Sequence, residues 1–261
     1  MKVRERIYRI SEEALPILEE RLFDIGAYRF AIEWDKNGII FKSYESSIDE
    51  VLKDLGYTPE GEKTVDPLEW AKDVLKEPFE IAPGVLVDPV GNYEGEGIVL
   101  KITPGMAFGT GIHPTTKMCA SFLKSLDLKG KSVLDIGAGT AILAILAKKL
   151  GAAHVLGVDN DPLALEVAKE NIKKNCVDIE IKHSDLLQNV KGKFDVVVAN
   201  IVPPVLRRLA REIKTVLNEE GFLIISGIDK GAEDTIDVFL ERGFTLLEKR
   251  SEGEWIAAIL K

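Results

Sequence analysis

This 261-residue chain has little from which to build covalent or metallic staples. It holds two cysteines, Cys119 and Cys176, far apart in sequence, and three histidines. Two isolated cysteines make neither a disulfide framework nor a zinc site, so no metal is expected and a reducing, cytoplasmic setting fits. No apolar run approaches the ~18 residues of a membrane span, and the first residues lack the pattern of a signal peptide. A basic excess is missing too. Asp and Glu number 43 against 34 Lys and Arg, a formal net charge of −9. That balance excludes a general grip on nucleic-acid phosphates. Gln188 is the only glutamine.

What is present is enough apolar sequence for a core, 46% hydrophobic with 30% charged, in a length that suits two domains. Residues 1–57 read as a small α+β, ferredoxin-like unit. VRERIYRI is a strand, and Ser11 caps a helix, EEALPILEERLFDIG, that ends at Gly26. AYRFAIEW and GIIFKSY are strands joined by a hairpin turn at Asp35–Gly38, and SIDEVLKDLG is helical. Period-two alternation places Tyr28, Phe30, Ile32 and Trp34 on one face, read as core. Residues 58–80 read as a connector. Polar TPEGEKT precedes a stiff helix capped by Asp66, opened by Pro67 and stopped by Pro78. Residues 81–261 alternate strands and helices with near-continuous apolar strands. That predicts an α/β domain with a mostly parallel sheet covered on both faces. The short link at Ser251–Gly253 makes the last two strands antiparallel.

The chemistry gathers at strand ends. In LDIGAGTAILAI, residues 134–145, Gly137 and Gly139 mark a tight strand-to-helix turn, but Ile142 stands where a dinucleotide fingerprint has its third glycine. Asp135 at the strand end would repel a pyrophosphate. It suits a ligand that carries an ammonium or sulfonium and no phosphate, namely S-adenosylmethionine; a plain helix-terminus carboxylate is the alternative. Asp159 ends the next strand, 22 positions past Gly137, where an acid can accept from both hydroxyls of a ribose. Asp185, after the third strand, is placed for an adenine amino group or as a helix cap.

Asn200 ends the fourth strand, in FDVVVAN. Its amide oxygen can hold an amine and aim the lone pair, which makes it the candidate catalytic residue; capping the helix at Pro203 is the alternative. A lysine amine of pKa ~10.4 is neutral in only about one molecule in 2,500 at pH 7. Desolvation beside a cation lowers that pKa, and the proton can leave to water. The loop PGMAFGTGIHPTT, residues 104–116, adds Gly105, Gly109 and Gly111 for close backbone approach. It also brings Phe108 for stacking or gating and hydroxyls at Thr110, Thr115 and Thr116. His113 positions the loop or takes part in the reaction.

GMAFGTGIHPTT, LDIGAGTAILAI, GVDNDPLALEVAKEN and FDVVVANI, in this order and spacing, closely resemble the PrmA methyltransferases, which act on protein eleven of the large ribosomal subunit. The resemblance covers residues 95–230 well. It implies a class I, Rossmann-like methyltransferase domain with a seven-stranded sheet over residues 81–261 and S-adenosylmethionine as cofactor. It implies an N-terminal domain that recruits the ribosomal protein, and methylation of lysine side chains and the α-amine. It implies cofactor contacts from Thr116, Gly137, Asp159 and Asn200, with Phe108 near them. The chain departs from the family's pattern at Val202-Pro203-Pro204. A monomer with no sequence-specific nucleic-acid binding is expected.

Three rivals are weighed against this reading. For an RNA methyltransferase, residues 1–60 hold nine basic and thirteen acidic residues and no RNP-like segment. An NAD-dependent oxidoreductase is opposed by Asp135 and the missing glycine. A non-catalytic cofactor binder predicts binding without turnover. The scarcity of glutamine with abundant Lys and Glu also points to thermophily. Thermal unfolding is expected above the ~45–65 °C common among mesophile domains; a calorimetric midpoint inside that range contradicts it.

Overall fold

The first 65 residues form a four-stranded antiparallel sheet. The computed structural model describes residues 3–24, 27, 30–36, 38–65, 77–103 and 109–261. Strands β1 (Val3–Ile10), β2 (Phe30–Asp35), β3 (Gly38–Ser43) and β4 (Gly61–Val65) lie in the order β2-β3-β1-β4. Helix α1 (Ala14–Asp24) follows β1 and α2 (Ser46–Asp54) follows β3, which is the βαββαβ order of a ferredoxin-like unit. Tyr8, Ile39 and Phe41 of the sheet meet Leu18, Leu22, Ile48 and Leu52 of the helices in its core. Inside it, the Tyr8 hydroxyl donates to Asp49 Oδ1 (2.8 Å) and Arg6 donates to Asp49 Oδ2 (2.6 Å), so this buried carboxylate is fully paired.

Two expectations change. The stretch 58–80 is more than a connector, because Gly61–Val65 pairs with Val3–Ile7 and Phe79–Ala82 is a strand of the second unit. Glu62, Lys63 and Thr64 are exposed, so this charged edge strand shows no apolar alternation by which to find it. The chain divides into residues 1–74 and 75–261, rather than at 57 and 81. Trp34 is not core. It shares the face of Phe30, which stacks on Phe41 at 5.0 Å, but it sits at the hairpin end of an edge strand and is 62% exposed. The helix expected from Asp66 lies, over 66–76, outside the described residues, as do Gly26, Tyr28, Asn37, Gly105 and Phe108.

The second unit opens with a three-stranded sheet of β5 (Phe79–Ala82), β6 (Val85–Asp88) and β7 (Ile98–Lys101). Then come β8 (Ser132–Ile136), β9 (His154–Asp159), β10 (Glu180–His183), β11 (Phe194–Asn200), β12 (Leu217–Asp229), β13 (Leu246–Glu252) and β14 (Trp255–Leu260). They form one sheet in the order β10-β9-β8-β11-β12-β14-β13, with β14 antiparallel to both neighbours and the other pairs parallel. Strand order reverses between β8 and β11, the place where open α/β sheets bind ligands.

Helices α3 (Pro114–Ser125), α4 (Ile142–Lys149) and α5 (Pro162–Lys174) pack with Val133, Val155, Val196 and Val198 on one face. Helices α6 (Pro203–Leu209) and α7 (Thr235–Leu240) pack with Leu134, Leu156, Val197 and Ala199 on the other. Since side chains alternate along a strand, Asp135, Asp159, Asn200 and Ser226 all fall on the α3–α5 face. Helix α6 ends at Leu209, a 3₁₀ turn spans Ile213–Thr215, and β12 begins at Leu217.

The end of β11 is seated by a glycine. Gly227, in β12, has φ +87°, and a Cβ there would lie 2.5 Å from the Ile201 carbonyl oxygen, while the Ile201 N–H donates to Ser226 O (3.1 Å). Gly227→Ala is therefore expected to cost about 2–4 kcal/mol. Urea unfolding would show it as a lower midpoint at constant m; an unchanged midpoint contradicts the close approach.

Candidate functional site

The chain turns immediately after β8. Gly137 (φ +71°), Gly139 (φ +54°) and Ala141 (φ +63°) are left-handed, and the N–H groups of Gly137 and Ala138 donate to Val158 O at 2.9 and 3.0 Å. A Cβ on Gly137 would lie 2.4 Å from Ile201 Cγ2, so the turn presses against the end of β11 across the switch point. Ala141 offers no side-chain cap for α4. Asp135 takes that role from within the strand, with the Ala144 N–H donating to its Oδ2 at 3.1 Å. The helix-terminus alternative is thus realised, but it does not satisfy the group. At 1% exposure, burial pushes the Asp135 carboxyl up to about 7; the Ala144 bond opposes the rise and nearby Asp159 adds to it.

Asp159 ends β9. It accepts from the Gly139 N–H (2.8 Å) and the Asp161 N–H (2.9 Å), and burial raises its pKa above the ordinary range. It is not the cap of α5, since Asp161 accepts from Leu163 N–H at 2.9 Å in that role. A carboxylate has about four acceptor sites, so Asp159 keeps capacity for further donors. Asp185 stands next to the same rim, because Ser184 N–H donates to Asp159 O (3.0 Å). Its carboxylate is half-exposed and paired with Arg208 at 2.9 Å.

Asn200 is 9% exposed, and its Nδ2 donates to Thr116 Oγ1 at 3.4 Å. Its Oδ1 is buried without a hydrogen-bond partner. It does not cap α6, whose cap residue is Val202. Thr116 is fully buried in the first turn of α3, which His113 caps: the Thr115 N–H donates to His113 Nδ1 at 3.4 Å, and Thr115 Oγ1 lies 2.7 Å from the same nitrogen. The His113 ring meets Trp255 edge-on at 4.6 Å, and burial lowers its pKa, against a raising influence of Glu252. These contacts fit the loop-positioning reading of His113. Gly109 (φ +102°) lies against Thr140, and Thr110 follows it, half-buried. Phe108 is outside the described residues.

The structure therefore gathers Asp135, Gly137, Gly139, Asp159, Asn200 and Thr116 at the carboxyl ends of β8, β9 and β11. Sequence reasoning missed the buried Thr140, Asn171 and Ser226 beside them. Among the described residues no cluster of His, Cys, Asp and Glu is fit to hold a metal ion, and no helix is long and apolar enough to cross a membrane. An open groove of about 620 Å³ beside α3, lined by Lys117, Ser121, Arg250 and Glu252 among others, includes none of the residues at the rim.

The family model for "Ribosomal protein L11 methyltransferase (PrmA)" matches residues 12–261. A ribosomal protein L11 methyltransferase of Thermotoga neapolitana is 42% identical over 267 residues, covering 100% of this chain and 99% of its own. The crystal structure of ribosomal protein L11 methylase from Lactobacillus delbrueckii subsp. bulgaricus aligns with a TM-score of 0.67 at 32% identity, over 70% of this chain and 97% of that one. A T. Thermophilus 16S rRNA N2 G1207 methyltransferase, in complex with AdoMet and guanosine, shares the fold alone: TM-score 0.52, 19% identity, 60% of this chain and 46% of that one. With its strand order, its glycine turn and a match running from residue 12 to the end, this chain belongs to the PrmA family of ribosomal protein L11 methyltransferases.

Proposed function

We propose that the protein transfers methyl groups from S-adenosylmethionine to amines of a large-subunit ribosomal protein, L11 in its relatives, at lysine side chains and the α-amine. The observation that carries this reading is the orphaned Oδ1 of buried Asn200, on the same sheet face as two acids whose pKa values burial raises. A buried acceptor without a donor costs stability; an amine N–H supplies the donor. Two acids held at a raised pKa favour a cationic ligand. S-adenosylmethionine supplies an activated methyl on a positively charged sulfur.

In this reading Asp159 accepts from the ribose hydroxyls and Asp185 lies toward the adenine. The Gly137–Gly139 turn lets the donor approach the backbone, and Asp135 supplies negative charge. Thr116, Phe108, Gly109 and Thr110 complete the donor's surroundings. Asn200 holds the acceptor amine through its Oδ1, and Thr116 orients the amide through the bond to Nδ2. The amine proton leaves to water. Residues 1–74 recruit the protein substrate, and the enzyme works as a cytoplasmic monomer. RNA methylation is the weaker alternative, because the acidic balance of residues 1–60 opposes phosphate binding. Hydride transfer with NAD is weaker still, because Asp135 opposes a pyrophosphate.

Asp159→Ala is expected to weaken binding of S-adenosylmethionine at least tenfold by calorimetry, whereas Asn200→Ala lowers kcat by roughly 10²-fold, as for lost positioning of a reacting group, with a smaller change in donor Kd. Unchanged kinetics in both variants would refute the site. Purified ribosomal protein should take up label while ribosomal RNA does not.

A pH dependence follows from Asp135. Its folded-state pKa, about 7, stands above the ~3.9 of an unfolded chain. Between pH 4 and 7 the folded state keeps a proton that the unfolded state has released. This group's contribution to stability therefore falls as pH rises through that window, by up to about 4 kcal/mol. Donor binding has the opposite sign, since a sulfonium favours the ionised acid. The Kd should fall as pH rises from 6 to 8. Asp135→Asn should flatten both profiles relative to the native chain; parallel profiles in the two proteins would remove Asp135 from this role.

A further inference from the structure

Helix α5 reaches the edge of β7 with two asparagines one turn apart. Asn175 Nδ2 donates to Lys101 O (2.8 Å), and the Lys101 N–H donates to Asn175 Oδ1 (2.9 Å), as a neighbouring strand would do. Asn171, fully buried, repeats the device with a different second partner. The Thr103 N–H donates to Asn171 Oδ1 (3.0 Å), while Asn171 Nδ2 donates to Thr140 O (3.0 Å). One end of this amide faces a donor and the other an acceptor, so its orientation is determined. Thr140 lies in the Gly137–Ala141 turn, and its hydroxyl donates to Gly109 O at 2.6 Å. A Cβ on Gly109 would stand 2.9 Å from that hydroxyl oxygen, so the glycine is what allows the approach. Thr103 and Gly109, on either side of 104–108, are thus both tied to the same residue of the turn.

We propose that Thr140 and Asn171 are positioning residues for methyl transfer. They fasten Thr103 and the chain from Gly109 into α3 onto the glycine turn, and so hold the Thr116–Asn200 pair in register with the donor. The proposal rests on reading that turn as the donor's seat. Thr140 contributes through its carbonyl and its hydroxyl separately, which lets the two ties be cut one at a time. A purely architectural bond would lower the melting temperature and leave turnover of the folded enzyme intact. A positioning bond lowers turnover in an enzyme that remains folded.

The test uses the full-length enzyme with purified ribosomal protein and S-adenosylmethionine, each at saturation. Thr140→Val removes the hydroxyl and keeps the shape; Thr140→Ser keeps the hydroxyl; Asn171→Asp keeps the acceptor for Thr103 and turns an oxygen toward the Thr140 carbonyl. Thr140→Val is expected to lose ten- to a hundredfold in kcat, with its melting temperature within about 2 °C of the native value. Thr140→Ser should recover most of the loss. The double variant Thr140→Val with Asn171→Asp should lose less than the product of the single losses, because both cut one assembly. Native kcat in Thr140→Val, equal impairment of Thr140→Ser, or a loss matched by a fall in melting temperature each overturns the proposal. Asp159→Ala is measured beside them. If it binds donor normally, the seat itself is misplaced and both readings fall. If it fails to bind while Thr140→Val turns over normally, only the positioning proposal falls.

Discussion

A carboxylate and an amide oxygen are buried without full compensation at the switch point of the parallel sheet, and the second unit is arranged around that constraint. An orphaned acceptor costs about 1–3 kcal/mol, against a total stability of about 5–15 kcal/mol for a typical domain. Asp135 adds to this by holding a carboxyl that burial pushes up to about 7. The opposite ends of the same strands show that such a deficit is not general. There Asp195 accepts from the Ser132 N–H and hydroxyl, each at 2.8 Å, and from Asn218 Nδ2 at 2.9 Å, and these bonds hold its carboxyl below the ordinary range. In the first unit Asp49 is likewise bonded at both oxygens. Asp195 and Asp49 are thus fully bonded where they serve the fold, whereas at the rim the Asn200 Oδ1 is buried without a partner.

Backbone geometry places the deficit. Period two along β8, β9 and β11 puts Asp135, Asp159 and Asn200 on one face, and the parallel register brings their carboxyl ends to one level. Three left-handed positions, Gly137, Gly139 and Ala141, let the chain leave β8 and enter α4 within five residues. The turn then needs Ile201 beside it, and Ile201 needs Gly227, whose missing side chain leaves room for the Ile201 carbonyl. On the other side α3 lays Thr116 against Asn200 and Cys119 against Ser226; burial drives the Cys119 thiol far up from its ordinary range, nearby Asp135 adds to the rise, and the Ser226 bond opposes it. Each of these contacts joins segments far apart in sequence, so the site exists only once the sheet has formed.

That dependence explains what could be read from the residues and what could not. The acids and Asn200 were readable because strand ends followed by Gly, Asp-Pro or Pro-Pro are local signals, and so was the alternation that builds the sheet. β4 was not, since Glu62 and Lys63 carry no apolar period and the strand is defined by its partner β1. Trp34 was misjudged because alternation tells which face a side chain takes and not whether anything covers it there. Asn171 and Gly227 were invisible for a related reason. An asparagine in a helix and a glycine in a strand read as weak formers, and only the neighbours at Thr103, Thr140 and Ile201 give them a purpose.

The neutrality of Asn200 is itself informative for the proposed amine methylation. An acceptor for the amine's N–H groups must orient the nitrogen without stabilising its protonated form. A carboxylate in that place would favour the ammonium and raise a pKa that already leaves only about one lysine in 2,500 neutral at pH 7. An amide oxygen accepts the same hydrogen bonds with no net charge. In the proposed reading the acids Asp135 and Asp159 stand instead beside the glycine turn, where a cationic sulfur favours their ionised form. On that reading, two acids and one amide at adjacent strand ends divide the labour, with charge on the donor's side and neutrality on the acceptor's side.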